Sequence, residues 1–305
     1  MSLSKRMFSF VLAIALSAIS LHSVAQQTPA ALTADPPVDK VHPASMESFQ
    51  ISSHGDKMNA IAYIPAGAGV HPVAIVFHGF PGNEKNLDLA QAIRRAGWVS
   101  VFFDYRGSWG TPGAFSFTHA MEDSEAAVAF LREPANSAKL HVDSKRIVLI
   151  GHSMGGYMAA HTGAHDSGIL AVGLISAVNL HDWAQLGVNT ADPKAGEAKL
   201  ADRLAANQIA SLAGCTADSL AKEMLEHRDD KNWNFVEYAN LFGTRPLLVV
   251  SANDGLMPQT DRLIGVVRKN PDAHVTAVHF ATDHSYSDQR IAMETTVLNW
   301  LASLK

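Results

Sequence analysis

Short, mostly apolar runs alternate along this chain with stretches whose apolar positions recur every three or four residues. The runs fall at 73–77, 99–103, 147–150, 169–175, 247–250 and 274–280. Runs of this length with little polar interruption read as strands buried on both faces of a parallel sheet. Between and after them the spacing predicts helices at 87–95, ended by Gly97, and at 118–132, 154–164, 259–269 and 288–301. Ahead of the first run, 49–53 and 58–64 flank His54-Gly55-Asp56-Lys57, a pattern that predicts a hairpin. Strands alternating with helices imply right-handed βαβ units, hence an α/β architecture: a mostly parallel sheet flanked by helices. The rhythm pauses between 180 and 243. That interval holds two amphipathic stretches, 198–212 and 217–228, then Trp233, Phe235 and Tyr238, and is expected to be a helical lid insertion.

The start of the chain breaks the pattern. Lys5 and Arg6 precede an apolar run over 7–19, and Ser23-Val24-Ala25 supplies small residues for cleavage. These are the parts of a secretory signal peptide over residues 1–25, and they predict export to the periplasm or the exterior. The run is shorter than the roughly 20 residues that a membrane span needs, so no stable span is expected after cleavage. Residues 26–45 carry Pro29, Pro36, Pro37 and Pro43 among Ala, Thr and Asp, and are expected to form a disordered lead-in to one folded domain, 46–305.

Composition narrows the function classes. With 305 residues, 47% hydrophobic and 17% charged, the chain has ample material for one core. A formal charge of −5, without a dense Lys/Arg stripe, argues against nucleic acid as a partner. Cys215 is the only cysteine, so no internal disulfide can form, and its Ala-rich helical surroundings suit an idle thiol.

Four segments carry chemistry. Gly151-His152-Ser153-Met154-Gly155 fits the G-x-S-x-G elbow, in which small flanking residues let a serine sit on a strained strand-to-helix turn. Three fixed positions recur by chance in roughly one chain of this length in ten. The apolar strand before the pentapeptide and the helix after it are what give it weight. The turn aims the Met154 N–H, at a helix N-terminus, toward a developing oxyanion. His78-Gly79-Phe80-Pro81-Gly82 follows the strand at 73–77, where a second N–H donor is required, and Phe80 is the expected one. His78 precedes the serine and is out of order for a base in this chain order.

Asp254, in Ser251-Ala252-Asn253-Asp254-Gly255, stands beyond the end of a parallel strand, on the ligand side of such a sheet. Its rival, Asp261, falls within the following helix. His284, in Asp283-His284-Ser285-Tyr286, is the late histidine placed in a loop rather than on a strand, as His274 and His279 are. The order Ser153, Asp254, His284 is that of a serine, acid and base triad. Trp109, Phe115 and Phe117 are expected either to line an acyl pocket or to be packing residues. Arg106 reads as a partner for a local acid. His161 and His165 share a helix face at a metal-binding spacing, but without an HExxH pattern they read as a polar face, and no metal is expected.

Together these segments resemble the α/β-hydrolase superfamily over 46–305. The loop Asp104-Tyr105-Arg106-Gly107-Ser108-Trp109-Gly110 is similar to that of many esterases and prolyl-oligopeptidase-like serine hydrolases. The resemblance implies a triad of Ser153, Asp254 and His284, with Phe80 and Met154 as oxyanion donors and no cofactor. The substrate is then a small ester or, alternatively, a short peptide or amino-acid amide. The propeller that restricts the large oligopeptidases to peptides is not expected in the stretch before His71, a departure from those members that puts peptidase activity in doubt. A noncatalytic binding protein on the same fold would show a broken triad, and this sequence shows an intact one.

Overall fold

The computed structural model describes residues 27–188 and 192–304. The expected signal peptide lies outside the described residues. Eight strands form one sheet: β1 (Ser45–Ser53), β2 (Asp56–Ile64), β3 (His71–Phe77), β4 (Val99–Phe103), β5 (Val142–His152), β6 (Ala171–Ile175), β7 (Leu247–Ser251) and β8 (Val275–His279). Their order is β1-β2-β4-β3-β5-β6-β7-β8. The first three of these strands are joined by antiparallel pairings and the rest pair in parallel. The hairpin turns at His54 and Gly55, both at positive φ (46° and 95°), as the twist of a two-residue turn requires.

The helices are α1 (Ala30–Thr33), α2 (Leu87–Arg95), α3 (Phe117–Arg132), α4 (Pro134–Lys139), α5 (Met154–His165), α6 (Leu180–Val188), α7 (Pro193–Ala205), α8 (Ala217–Glu226), α9 (Met257–Val267) and α10 (Arg290–Ser303). The pleat divides the apolar strands between two cores. Val73, Ile75, Phe77, Ile147 and Leu149 face a core shared with α3, α5 and α9. Ala74, Val76, Val148 and Ile150 face one shared with α2 and α10. This two-sided burial is why the strands read as unbroken apolar runs.

The lead-in expected to be disordered contains the helical turn α1. Its Ala31 and Leu32 pack against the α2 and α10 core, and the Ala31 carbonyl accepts from Arg95 Nε. Two apolar side chains among the prolines were enough to dock it. Among the described residues of 180–243, α6 is an additional helix, and the stretch expected over 198–212 is α7 from Pro193, behind the N-cap Asp192, to Ala205, followed by a separate 3-10 turn at Ile209–Ser211. The interval is tied down at several points. Ala213 N–H donates to Gly107 O (2.7 Å), and Phe115 and Trp109 N–H donate to Ala213 O and Ser211 O (both 2.9 Å). The Glu223 carboxylate accepts from Phe117 and Thr118 N–H at the start of α3 (3.0 and 2.9 Å). Among the described residues no helix is long and apolar enough to cross a membrane.

Candidate active site

The parallel strands bring four loops to one sheet edge, because each loop follows the C-terminal end of its strand. β5 ends at His152, and Ser153 occupies a turn at φ 58°, ψ −122° before α5 starts at Met154. A side chain at that φ is strained, and the surroundings enforce it. Ser153 N–H donates to Ile175 O (2.9 Å), while Ser153 O accepts from Gly156 and Val178 N–H (3.0 and 3.1 Å). A Cβ on Gly151 would overlap Gly155 O, and one on Gly155 would overlap Phe77 O, so the turn closes only with glycine at both places. The loop after β3 passes very close: a Cβ at Gly79 would lie 2.9 Å from Ser153 Cβ. Phe80, the next residue, and Met154 are both buried.

His284 Nδ1 lies 2.8 Å from Asp254 Oδ2. The acid side chain is only 5% exposed, whereas the imidazole is 39% exposed. Burial alone would raise the Asp254 carboxyl. Hydrogen bonds from His284, the Ser176 hydroxyl and Leu256 N–H outweigh burial and bring it down to about 2. A carboxylate only accepts, so the shared proton sits on Nδ1 and Nε2 of His284 is left as the open acceptor. With Ser176 donating to Asp254, Tyr286 O–H donates in turn to Ser176 Oγ (2.9 Å). Behind the loop, Arg290 joins the two rims. It donates to Ser285 O (3.2 Å) and Asn86 Oδ1 (2.9 Å), and pairs with Asp88 (2.6 Å).

Ser153 and His284 line one cleft of about 290 Å³, together with Gly79, Phe80, Asn83, Glu84, His152, Ser285 and the 206–208 turn of the insertion. Trp109, Phe115 and Phe117 are not among its lining residues. Phe115 and Phe117 are buried behind Phe80, with ring centroids 5.8 and 5.5 Å away, and Trp109 Nε1 donates to Pro81 O (2.9 Å). All three back the loop after β3, Phe115 and Phe117 by packing and Trp109 by its hydrogen bond.

The other singled-out residues have structural partners. Arg106 pairs with buried Asp123 (2.6 Å) and with Glu122. His161 contacts the Tyr238 hydroxyl (3.0 Å) and Glu125 (3.2 Å), and His165 Nδ1 donates to His161 O (2.8 Å). Burial pushes the Cys215 thiol up, away from the thiolate form. Sequence reasoning missed His152, Ser176, Tyr286 and Arg290. Ser176, directly after β6 at the same sheet edge, carried the one usable signal: position.

The Alpha/beta hydrolase family model matches residues 74–294, well over half of the chain. The chain belongs to the alpha/beta hydrolase family. Among curated proteins, this family member is 29% identical over 136 residues to the quorum-quenching protein AidA of Acinetobacter baumannii. It is also 29% identical over 125 residues to an uncharacterized protein of Mycobacterium tuberculosis. The matched stretches cover 43% and 41% of the chain, which spans 43% of the length of each relative. Solved structures similar to this alpha/beta hydrolase include EstE1, a thermophilic carboxylesterase cloned from a metagenomic library. Its TM-score is 0.61 at 20% identity, covering 90% of this chain and 92% of that one. A fungal esterase of Rhizomucor miehei gives a TM-score of 0.61 at 20% identity, covering 86% and 84%. The acylaminoacyl peptidase of Pyrococcus horikoshii gives 0.62 at 16%, covering 86% and 42%. At these identities the likeness establishes a shared fold.

Burial also holds His78 down to about 3, its Nδ1–H bonded to Gly79 O at 2.7 Å. Unfolded, an imidazole titrates near ~6.5. The unfolded chain therefore binds the extra proton between that value and about 3. This histidine's full contribution to stability is present above the window and is lost as the pH falls through it, at about 1.4 kcal/mol per pH unit. Unfolding free energies from denaturant titrations of His78→Phe are expected to fall less steeply than the parent's between about pH 6 and pH 4, by that slope. Parallel curves would mean that the imidazole is hydrated when folded.

Proposed function

We propose that this chain is an exported serine hydrolase that cleaves carboxylic esters of modest size through an acyl-enzyme on Ser153. The observation that carries the reading is the Asp254–His284 hydrogen bond, with the His284 ring opening into the cleft that Ser153 lines. In the proposed reaction Ser153 Oγ attacks the acyl carbon as His284 Nε2 takes its proton. Asp254 holds the ring in the required tautomer and balances the imidazolium. The N–H groups of Phe80 and Met154 stabilise the tetrahedral oxyanion. His284 then returns the proton to the departing alkoxide. Water, deprotonated by the same nitrogen, releases the acid and frees the serine.

The cleft volume, at the small end for ligand sites, supports a short acyl group. The 206–208 turn gives the insertion a part in covering the bound acyl group. Export is proposed on the character of residues 1–25 alone. The acylaminoacyl peptidase among the structural neighbours supports a second reading, release of acyl groups from amines. A fluorophosphonate probe is expected to label the purified protein on Ser153, and p-nitrophenyl esters are expected to outrun amino-acid anilides. Strong anilide turnover with idle esters would make the chain a peptidase. A protein that takes no label would not be a serine hydrolase.

A further inference from the structure

We infer that His152, the residue before the proposed nucleophile, is a positioning residue whose Nε2–H holds the His284 carbonyl and so sets the His284 ring relative to Ser153. The inference rests on the Ser153–His284 reading of the site.

His152 is the last residue of β5, paired with Ile175 of β6, and its side chain is buried. Its Nε2 lies 2.8 Å from His284 O, and the two ring centroids are 4.6 Å apart. A carbonyl oxygen only accepts, so the ring proton is on Nε2. A neutral imidazole has one N–H, which leaves Nδ1 as a bare lone pair. That nitrogen is buried and has no hydrogen-bond partner. A phenyl ring would occupy the same space without stranding a polar atom. What the imidazole adds is a single donor, and that donor meets the backbone of the proposed base. A stranded buried polar atom inside a functional cleft marks a place where packing has yielded to another requirement.

The geometry explains the requirement. His284 stands in the loop between β8 and α10. The Asp254 bond fixes one edge of its ring but leaves the ring free to swing about that contact. The His152 bond fixes the backbone from which the ring projects. Because His152 and Ser153 are consecutive on one strained turn, nucleophile and base are referenced to the same piece of rigid backbone. Burial holds the His152 imidazole down to about 3, so the strut is uncharged. It places no positive charge beside His284 when that ring takes the serine proton.

The test compares the parent with His152→Phe, His152→Gln and His152→Asn on p-nitrophenyl acetate. Rates are divided by the sites titrated in a long fluorophosphonate incubation, so that misfolded protein is not counted. Gln reaches as far as Nε2 and can donate to His284 O; Asn falls short, and Phe has no donor. Phe and Asn are expected to lower kcat by roughly 10- to 100-fold with KM within about two-fold, the loss expected for a misplaced base. Gln is expected to stay within about three-fold of the parent, since its donor restores the contact. If Phe does not fold, the Gln and Asn pair, alike in polarity and close in size, decides. Equal kcat for Gln and Asn, or a parent-like kcat for Phe, overturns the inference. A parent that neither hydrolyses the ester nor takes the probe overturns the Ser153 reading instead.

Discussion

Ser153→Ala is expected to lower kcat/KM for a p-nitrophenyl ester by roughly a hundred-thousand- to a million-fold, with the fold intact. The size follows from what remains. Removing the hydroxyl leaves the Phe80 and Met154 N–H donors and the cleft, which by themselves sustain only the residual rate of a site without its nucleophile, roughly a thousand- to ten-thousand-fold over water. Nothing else in the cleft lining is a comparable nucleophile. Its other hydroxyl, Ser285, sits next to the proposed base on the opposite loop, away from the strained turn and the helix N-terminus. Alanine is tolerated sterically because it keeps the Cβ that the turn at φ 58° already accommodates. Initial rates, with the background set by probe titration, measure the loss. A variant retaining more than about one part in a hundred of the parent rate would move the nucleophile elsewhere, since no triad serine is that dispensable.

Asp254→Asn is expected to cost roughly a thousand- to ten-thousand-fold in kcat, with a smaller change in KM. The carboxylate, held at about 2, accepts the Nδ1 proton of His284, a Ser176 hydroxyl and Leu256 N–H at once. An asparagine has one acceptor oxygen in place of two. Whichever way it turns, either the Leu256 N–H loses its acceptor or an amide N–H faces His284 Nδ1. In the second case the imidazole puts its proton on Nε2, the nitrogen that must be bare to take the serine proton. The sign in pH is separate from the rate. Asp254 is depressed below the usual carboxylate value, so its contribution to stability is present above about pH 4 and is lost as the pH falls toward 2. The asparagine variant lacks that acid limb. Unfolding midpoints for the parent and the variant that run parallel down to about pH 2 would show that Asp254 is unpaired in the folded protein.

The element order was readable because each signal is local. The β3, β4 and β7 runs are apolar because both faces of the sheet are covered, and the following turns carry the glycines that a tight exit requires. The elbow was legible for the same reason: strand, G-x-S-x-G and helix lie within about twenty consecutive residues. Asp254 and His284, singled out by combining order with position because each follows a late strand at the same sheet edge, are hydrogen-bonded to each other in the fold. Local signals left burial open. Phe115 and Phe117 read equally as pocket or packing residues, and only the fold shows both rings packed on Phe80, which itself lines the cleft.

The amino-acid sequence on its own determined the strand and helix order, the strained turn at Ser153 and the order in which Ser153, Asp254 and His284 follow their strands. These depend on periodicity and turn chemistry within short windows. Only the tertiary structure decided which long-range partners meet: His152 with the carbonyl of residue 284, Ser176 and Tyr286 behind Asp254, Arg290 across two loops, and the 206–208 turn over the cleft. Apart from Arg290 with Ser285, five positions apart, the bonds of His152 with His284, Ser176 with Tyr286 and Arg290 with Asn86 join residues 110 to 204 positions apart. Their geometry is set by how the sheet twists and the helices pack, which no short window of sequence records.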